Sequence, residues 1–154
     1  MNRKYGLISL IAGLVLVLGI GSVFVFSQVS SEVKGNGEVE EMSPQAMKKF
    51  MKEDGTGFII YSLDKDNRDN YLYSAKKAME KNDVNGKEIN SNDPRYDGSK
   101  NQMYYGLDQN ADTLAVYKDG EMKNQIDFEE YEPSQLEAEL NHFIETSKEM
   151  YFSE

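Results

Sequence analysis

No charged residue occurs between positions 5 and 31, and no other feature narrows the fold of this chain as much. The most apolar part, 7–26, is about as long as a helix must be to cross the hydrocarbon core of a bilayer. Arg3 and Lys4 stand before it; Glu32, Glu38, Glu40 and Glu41 follow it, with only Lys34 among them. Basic residues stay on the cytoplasmic side, so this arrangement predicts a four-residue cytoplasmic tail (1–4), a transmembrane anchor (5–29) and an extracytoplasmic remainder. A secretory signal is the competing reading: Val29, Ser30 and Ser31 offer small residues for cleavage, but signal h-regions span only about 7–15 residues. Both readings put the rest of the chain outside the cytoplasm.

That remainder is acidic. The chain carries 17 basic and 27 acidic side chains, a net charge of −10. Such a surface repels nucleic-acid phosphates and anionic lipid head groups, so nucleic acid is not expected as a partner. Membrane lipid is expected to meet residues 5–29 only. Cysteine is absent, which removes disulfides, thiolate nucleophiles and Cys-type zinc sites. The single histidine, His142, cannot build a zinc site alone and falls off the apolar stripe of its helix, so it reads as a surface residue.

Residues 30–41, rich in Ser, Gly and Glu around Gly35-Asn36-Gly37, read as a flexible linker, with the folded domain occupying 42–154. Ser43-Pro44 signals a helix start, and Met47, Phe50 and Met51 give that helix one apolar face. Phe58-Ile59-Ile60-Tyr61 reads as a buried central strand. A polar loop follows, then a helix over 71–81 with Leu72, Ala75 and Met79 inward. Lys87-Glu88-Ile89-Asn90 suggests a short strand, 91–98 a loop, and 100–105 a short helix. Thr113-Leu114-Ala115-Val116-Tyr117 is the second clear strand. Asp119-Gly120 turns it into a hairpin, with Asn124-Gln125-Ile126-Asp127-Phe128 returning. Ser134 and Glu137 fit a capping box for a last helix whose Leu136, Leu140, Phe143 and Ile144 form a core stripe.

The stretch from Asp112 through Leu114 and Tyr117 to Lys118-Asp119-Gly120-Glu121 resembles the thioredoxin segment Pro-Thr-Leu, apolar strand, Lys-Asn/Asp-Gly-Glu. The Phe58–Tyr61 strand, the segment Tyr104-Tyr105-Gly106-Leu107 and the closing helix also resemble that family in order and spacing, over about 42–152. The resemblance implies an α/β fold: a thioredoxin-like mixed sheet with helices on both faces, preceded by one N-terminal transmembrane helix. It departs from the family where the chemistry lies. The Cys-x-x-Cys position holds about Asn67-Arg68-Asp69-Asn70, and Asp112 replaces the cis-proline. Asparagine supplies no thiolate, and a cis bond to a residue other than proline costs about 3–4 kcal/mol, so a trans bond is expected there. Thiol–disulfide enzyme activity is therefore not expected, and no cofactor is implied. In layout and in the Phe-Ile-Ile-Tyr strand the chain is similar to membrane-tethered, thioredoxin-like accessory proteins of bacteriocin export in Gram-positive bacteria.

The resemblance makes the former redox surface the candidate binding face: Asn67, Arg68, Asp69, Asn70, Tyr71, Asp112 and Thr113. In that family the surface meets extended segments beside a sheet edge. The function expected is a redox-inactive accessory or binding module on a bacterial cell membrane, with an exported or membrane protein as partner. The alternatives are a secreted or cell-wall-zone acidic domain and a non-thiol enzyme on the same scaffold. Calcium loops starting at Asp64 or Asp108 break the EF-hand pattern: Arg68 and Ala75 fall at positions 5 and 12 of the first, and Thr113 replaces the glycine of the second. Turn formation and helix capping by Asn67 or Asp69 account for these polar residues more simply. Ten tyrosines are present, Tyr61 and Tyr117 in strands and Tyr96, Tyr104 and Tyr105 around a loop, which suits packing or an interface.

Overall fold

Phe58, Ile59, Ile60 and Tyr61 are each no more than 3 % exposed, because their strand lies in the middle of a sheet covered on both faces. A computed structural model describes residues 33–94 and 106–153. Its elements are β1 (Val39–Met42), α1 (Pro44–Lys52), β2 (Gly57–Ser62), α2 (Arg68–Lys81), β3 (Gly86–Asn90), β4 (Thr113–Lys118), β5 (Glu121–Asp127) and α3 (Pro133–Tyr151). The apolar segment 5–29, the short helix predicted over 100–105, and Tyr96, Tyr104 and Tyr105 lie outside the described residues. Among the described residues no helix is long and apolar enough to cross a membrane.

The five strands form one mixed sheet in the order β1-β3-β2-β4-β5. β1 and β2 both run parallel to β3, while β4 is antiparallel to β2 and to β5. The two strands most evident in the sequence are neighbours, with Tyr61 opposite Thr113, Ile59 opposite Ala115 and Gly57 opposite Tyr117. Successive side chains of a strand point to opposite faces, so this register builds two cores. Phe58, Ile60, Leu114 and Val116 pack under α2 and α3, with Leu72, Ala75, Met79, Leu136, Leu140 and Ile144. Ile59, Tyr61, Ala115 and Tyr117 pack under α1, with Met47 buried and Phe50 and Met51 at its margin. Each fully buried side chain of this kind stabilises the fold by roughly 1.5–3 kcal/mol.

Local chemistry sets the element ends. The Ser43 hydroxyl accepts the Ala46 N–H at 3.2 Å and caps α1. Asp119 and Gly120 both have positive φ, 54° and 76°, as a two-residue type I′ hairpin turn requires. A Cβ on Gly120 would lie 2.0 Å from the Met51 carbonyl oxygen, so no larger residue fits there.

Three expectations are corrected. Part of the supposed linker is β1, and the segment before it is docked. Val33 is 1 % exposed, and the Asn85 side-chain oxygen accepts the N–H groups of Asn36 at 2.8 Å and Glu38 at 3.0 Å. An edge strand with outward charges reads as a linker because its pairing to β3 supplies its stability, not its own composition. The helix over 71–81 begins three residues earlier, at Arg68. The capping box does not form: Glu132 occupies the cap of α3 without a side-chain bond. Pro133 takes the first turn, where no N–H is needed, and Ser134 is left inside the helix.

Candidate functional site

At the end of the sheet where β2 finishes and β4 begins, Asp112 holds three segments together. Its N–H donates to the Tyr61 carbonyl at 2.7 Å, and its own carbonyl accepts the Phe128 N–H at 2.9 Å. Its carboxylate Oδ1 accepts the N–H groups of Leu63 at 2.8 Å and Asp64 at 2.9 Å. The backbone at Asp112 is left-handed, φ 53°, and the described residues contain no cis peptide bond. Aspartate tolerates that conformation better than most residues. The side chain is 7 % exposed, so Asp112 braces the face from within.

Asp64 fixes the loop that leads into α2. Its Oδ1 accepts the N–H groups of Asp66 at 2.8 Å and Asn67 at 3.2 Å, and its Oδ2 accepts the Asn67 side-chain amide at 2.7 Å. These bonds hold the Asp64 carboxyl below the ordinary aspartate value, the Asn67 side chain contributing most. Capping by Asn67 or Asp69 is thereby corrected. Asn67 sits at the cap position in a helical conformation with no side-chain cap bond, and its side-chain amide donates to Asp64 instead. Asp64 Oδ1 and Asp112 Oδ1 thus serve backbone amides. Among the described residues no group of three or more His, Asp or Glu is placed to hold a metal ion.

Arg68 turns away from solvent and toward β3. Its Nε and Nη2 donate to the two carboxylate oxygens of Glu88, both at 2.8 Å. Glu88 is 3 % exposed, and Glu41 and Asp69 stand further off at 3.8 and 3.7 Å. The Glu88 hydrogen bonds, chiefly, raise the Arg68 guanidinium pKa. A planar guanidinium meeting both oxygens of one carboxylate gives strong, directional pairing.

Beside this loop a groove of about 350 Å³ opens between the start of α2 and the turn joining β5 to α3. Asp64, Asn67, Asn70 and Tyr71 form one wall; Phe128, Glu129, Tyr131 and Pro133 form the other. The rings of Tyr71 and Phe128 lie 4.9 Å apart, tilted by 42°. Burial first, then the charges of Asp64, Glu129, Asp112 and Asp127, raise the Tyr71 hydroxyl pKa. Next to the groove, Leu63 is 54 % exposed although its N–H is fixed by Asp112.

Of the seven residues expected on the binding face, Asn67, Asn70 and Tyr71 line the groove, and Asp69 is exposed beside it. Asp112 and Thr113 lie within the fold; the Thr113 hydroxyl donates to the Asn110 carbonyl at 2.7 Å. Arg68 is occupied by Glu88. His142 is exposed, as expected. Sequence reasoning missed the second wall, although the run Phe128-Glu129-Glu130-Tyr131 before Pro133 mixes aromatic and acidic residues in a way that could have drawn attention. It also missed Gln109, fully buried, whose amide donates to the Ile59 carbonyl at 2.9 Å and the Thr113 hydroxyl at 3.1 Å.

No protein-family model matches this chain, and no curated protein matches it.

Proposed function

We propose that this chain is a membrane-tethered, redox-inactive thioredoxin-like module that binds another exported or membrane protein through the end of its sheet where α2 begins. The strand order β1-β3-β2-β4-β5, with α1 on one face and α2 and α3 on the other, supports the thioredoxin-like reading. The loop that would carry the redox cysteines holds Asp64, Asn67 and Asn70 instead. One observation carries the binding role: Asp112 and Asp64 brace that loop by backbone hydrogen bonds next to an aromatic-walled groove. A surface held in place before the partner arrives loses less conformational entropy on binding. The uncharged segment 5–29, with Arg3 and Lys4 before it, supports tethering at the cell membrane and an extracytoplasmic domain. Similarity to accessory proteins of bacteriocin export points to an exported or membrane protein as partner.

The test is co-purification of the full-length chain from membranes of its native cells. A partner should be lost from Tyr71→Ala and Asn70→Glu and retained by Tyr73→Ser, an exposed position outside the groove. The same proteins recovered with all three variants would contradict the proposal.

A further inference from the structure

We infer that the groove between α2 and the β5–α3 turn receives a basic side chain, lysine or arginine, from an extended segment of the partner. The inference rests on the binding-module reading and adds the partner's chemistry. Its first support is composition by position. Tyr71, Phe128 and Tyr131 give the groove aromatic walls, Asp64 and Glu129 give it carboxylates, and no lysine or arginine lines it. Two other grooves among the described residues differ. Lys34 and Lys87 line the one near the start of β3, where Lys87 pairs with Glu40 at 2.9 Å, and Lys76 lines the one beside β1. Acidity is general in this chain, but an acidic groove without a basic residue occurs only here among those three.

The second support is the field inside it. Four carboxylates, Asp64, Glu129, Asp112 and Asp127, act on the Tyr71 hydroxyl in the same direction, and no basic group opposes them there. Among the described residues no basic side chain pairs with Glu129, whose backbone N–H is fixed by the Asp127 carboxylate at 2.9 Å. An aromatic face beside an unpaired carboxylate attracts a cation by two routes at once, the ring quadrupole and the full charge. The volume, about 350 Å³, is at the small end of ligand pockets and suits one long side chain.

The test uses the full-length chain in micelles of an uncharged detergent and three octapeptides. These alternate serine with lysine, glutamine or glutamate. Affinity is read by fluorescence anisotropy and location by amide chemical shifts. The lysine peptide should bind about ten-fold more tightly than the glutamine one, with the ratio shrinking as salt rises. Its shifts should centre on Tyr71, Phe128 and Glu129. Glu129→Gln should remove most of the preference and Glu129→Lys all of it, while amide spectra outside the turn stay unchanged. Equal binding of lysine and glutamine peptides at the groove would overturn the inference and leave the binding-module reading standing. Lysine-peptide shifts spread over the whole acidic surface, or no peptide binding, would overturn it as well; co-purification from membranes then decides the binding-module reading separately.

Discussion

The Asp112 carboxylate accepts the Asp64 N–H at 2.9 Å, and Asp64 in turn accepts the N–H groups that open the way into α2. Two aspartates in series therefore link the start of β4 to Asn67, the cap residue of the helix beside the groove. Both lie at the end of the sheet where β2 finishes and β4 begins. Here the same end of the sheet is held by carboxylate-to-amide bonds.

Substitutions at Asp112 separate its two contributions. Asp112→Ala removes the acceptor for two part-buried amides and leaves a side chain at positive φ, and should destabilise the domain by about 2–4 kcal/mol. Asp112→Asn keeps an acceptor oxygen and tolerates the left-handed backbone, and should stay within about 1 kcal/mol of the native chain. Asp112→Gly relieves the backbone but loses the acceptor, and should fall between them. Urea unfolding of the three variants checks the ranking.

The Arg68–Glu88 pair predicts a strongly non-additive double-mutant cycle. With Arg68 gone, Glu88 is left buried and uncompensated, so Arg68→Ala should cost about 3 kcal/mol. Replacing both partners by apolar residues, Arg68→Met with Glu88→Leu, should bring stability back to within about 1 kcal/mol of the native chain. Equilibrium unfolding of the single and double variants at neutral pH measures the coupling.

Acid should loosen the Asp64 loop. A carboxyl whose folded pKa is depressed stabilises the fold above its unfolded pKa, and that contribution is lost as pH falls through the folded one. For Asp64 the window opens below its ordinary value of 3.8. Its carboxyl carbon should titrate below that value by NMR. The Asp66 and Asn67 amides should lose protection in the same window, and Asp64→Asn should abolish that dependence.

Asn85 staples the segment before β1. Asn85→Ala removes the acceptor of the Asn36 and Glu38 amides, each worth about 0.5–1.5 kcal/mol when made. Hydrogen exchange at those two amides should quicken, and residues 33–38 should become sensitive to protease, while β2 and β4 keep their protection.

Much of the sheet was legible in the sequence, and the reason is burial. Phe58 to Tyr61 and Leu114 to Tyr117 are continuous apolar runs because both of their faces are covered, and Asp119-Gly120 is a turn few other pairs can make. β1 was hidden because Glu40 and Glu41 face solvent at an edge, so its composition matches that of a linker. The early start of α2 was hidden because Arg68, Asp69 and Asn70 are polar and extend no apolar periodicity toward the start of the helix. Asn67, Asn70 and Tyr71 could be placed on the candidate face by resemblance. Phe128, Glu129 and Tyr131 could not, since the wall they form exists only once α3 packs against α2. Resemblance puts Asp112 and Thr113 on the candidate face as well, whereas their hydrogen bonds draw them inside.

Photo-crosslinking in intact cells tests the binding role most directly. With a photoreactive residue at position 70 on the groove wall, and in a second chain at the exposed position 149 of α3, irradiation should yield a discrete adduct to one membrane or exported protein from position 70 only. That adduct should disappear when Tyr71→Ala is added. An identical adduct pattern from both positions, or none from position 70, would contradict the account.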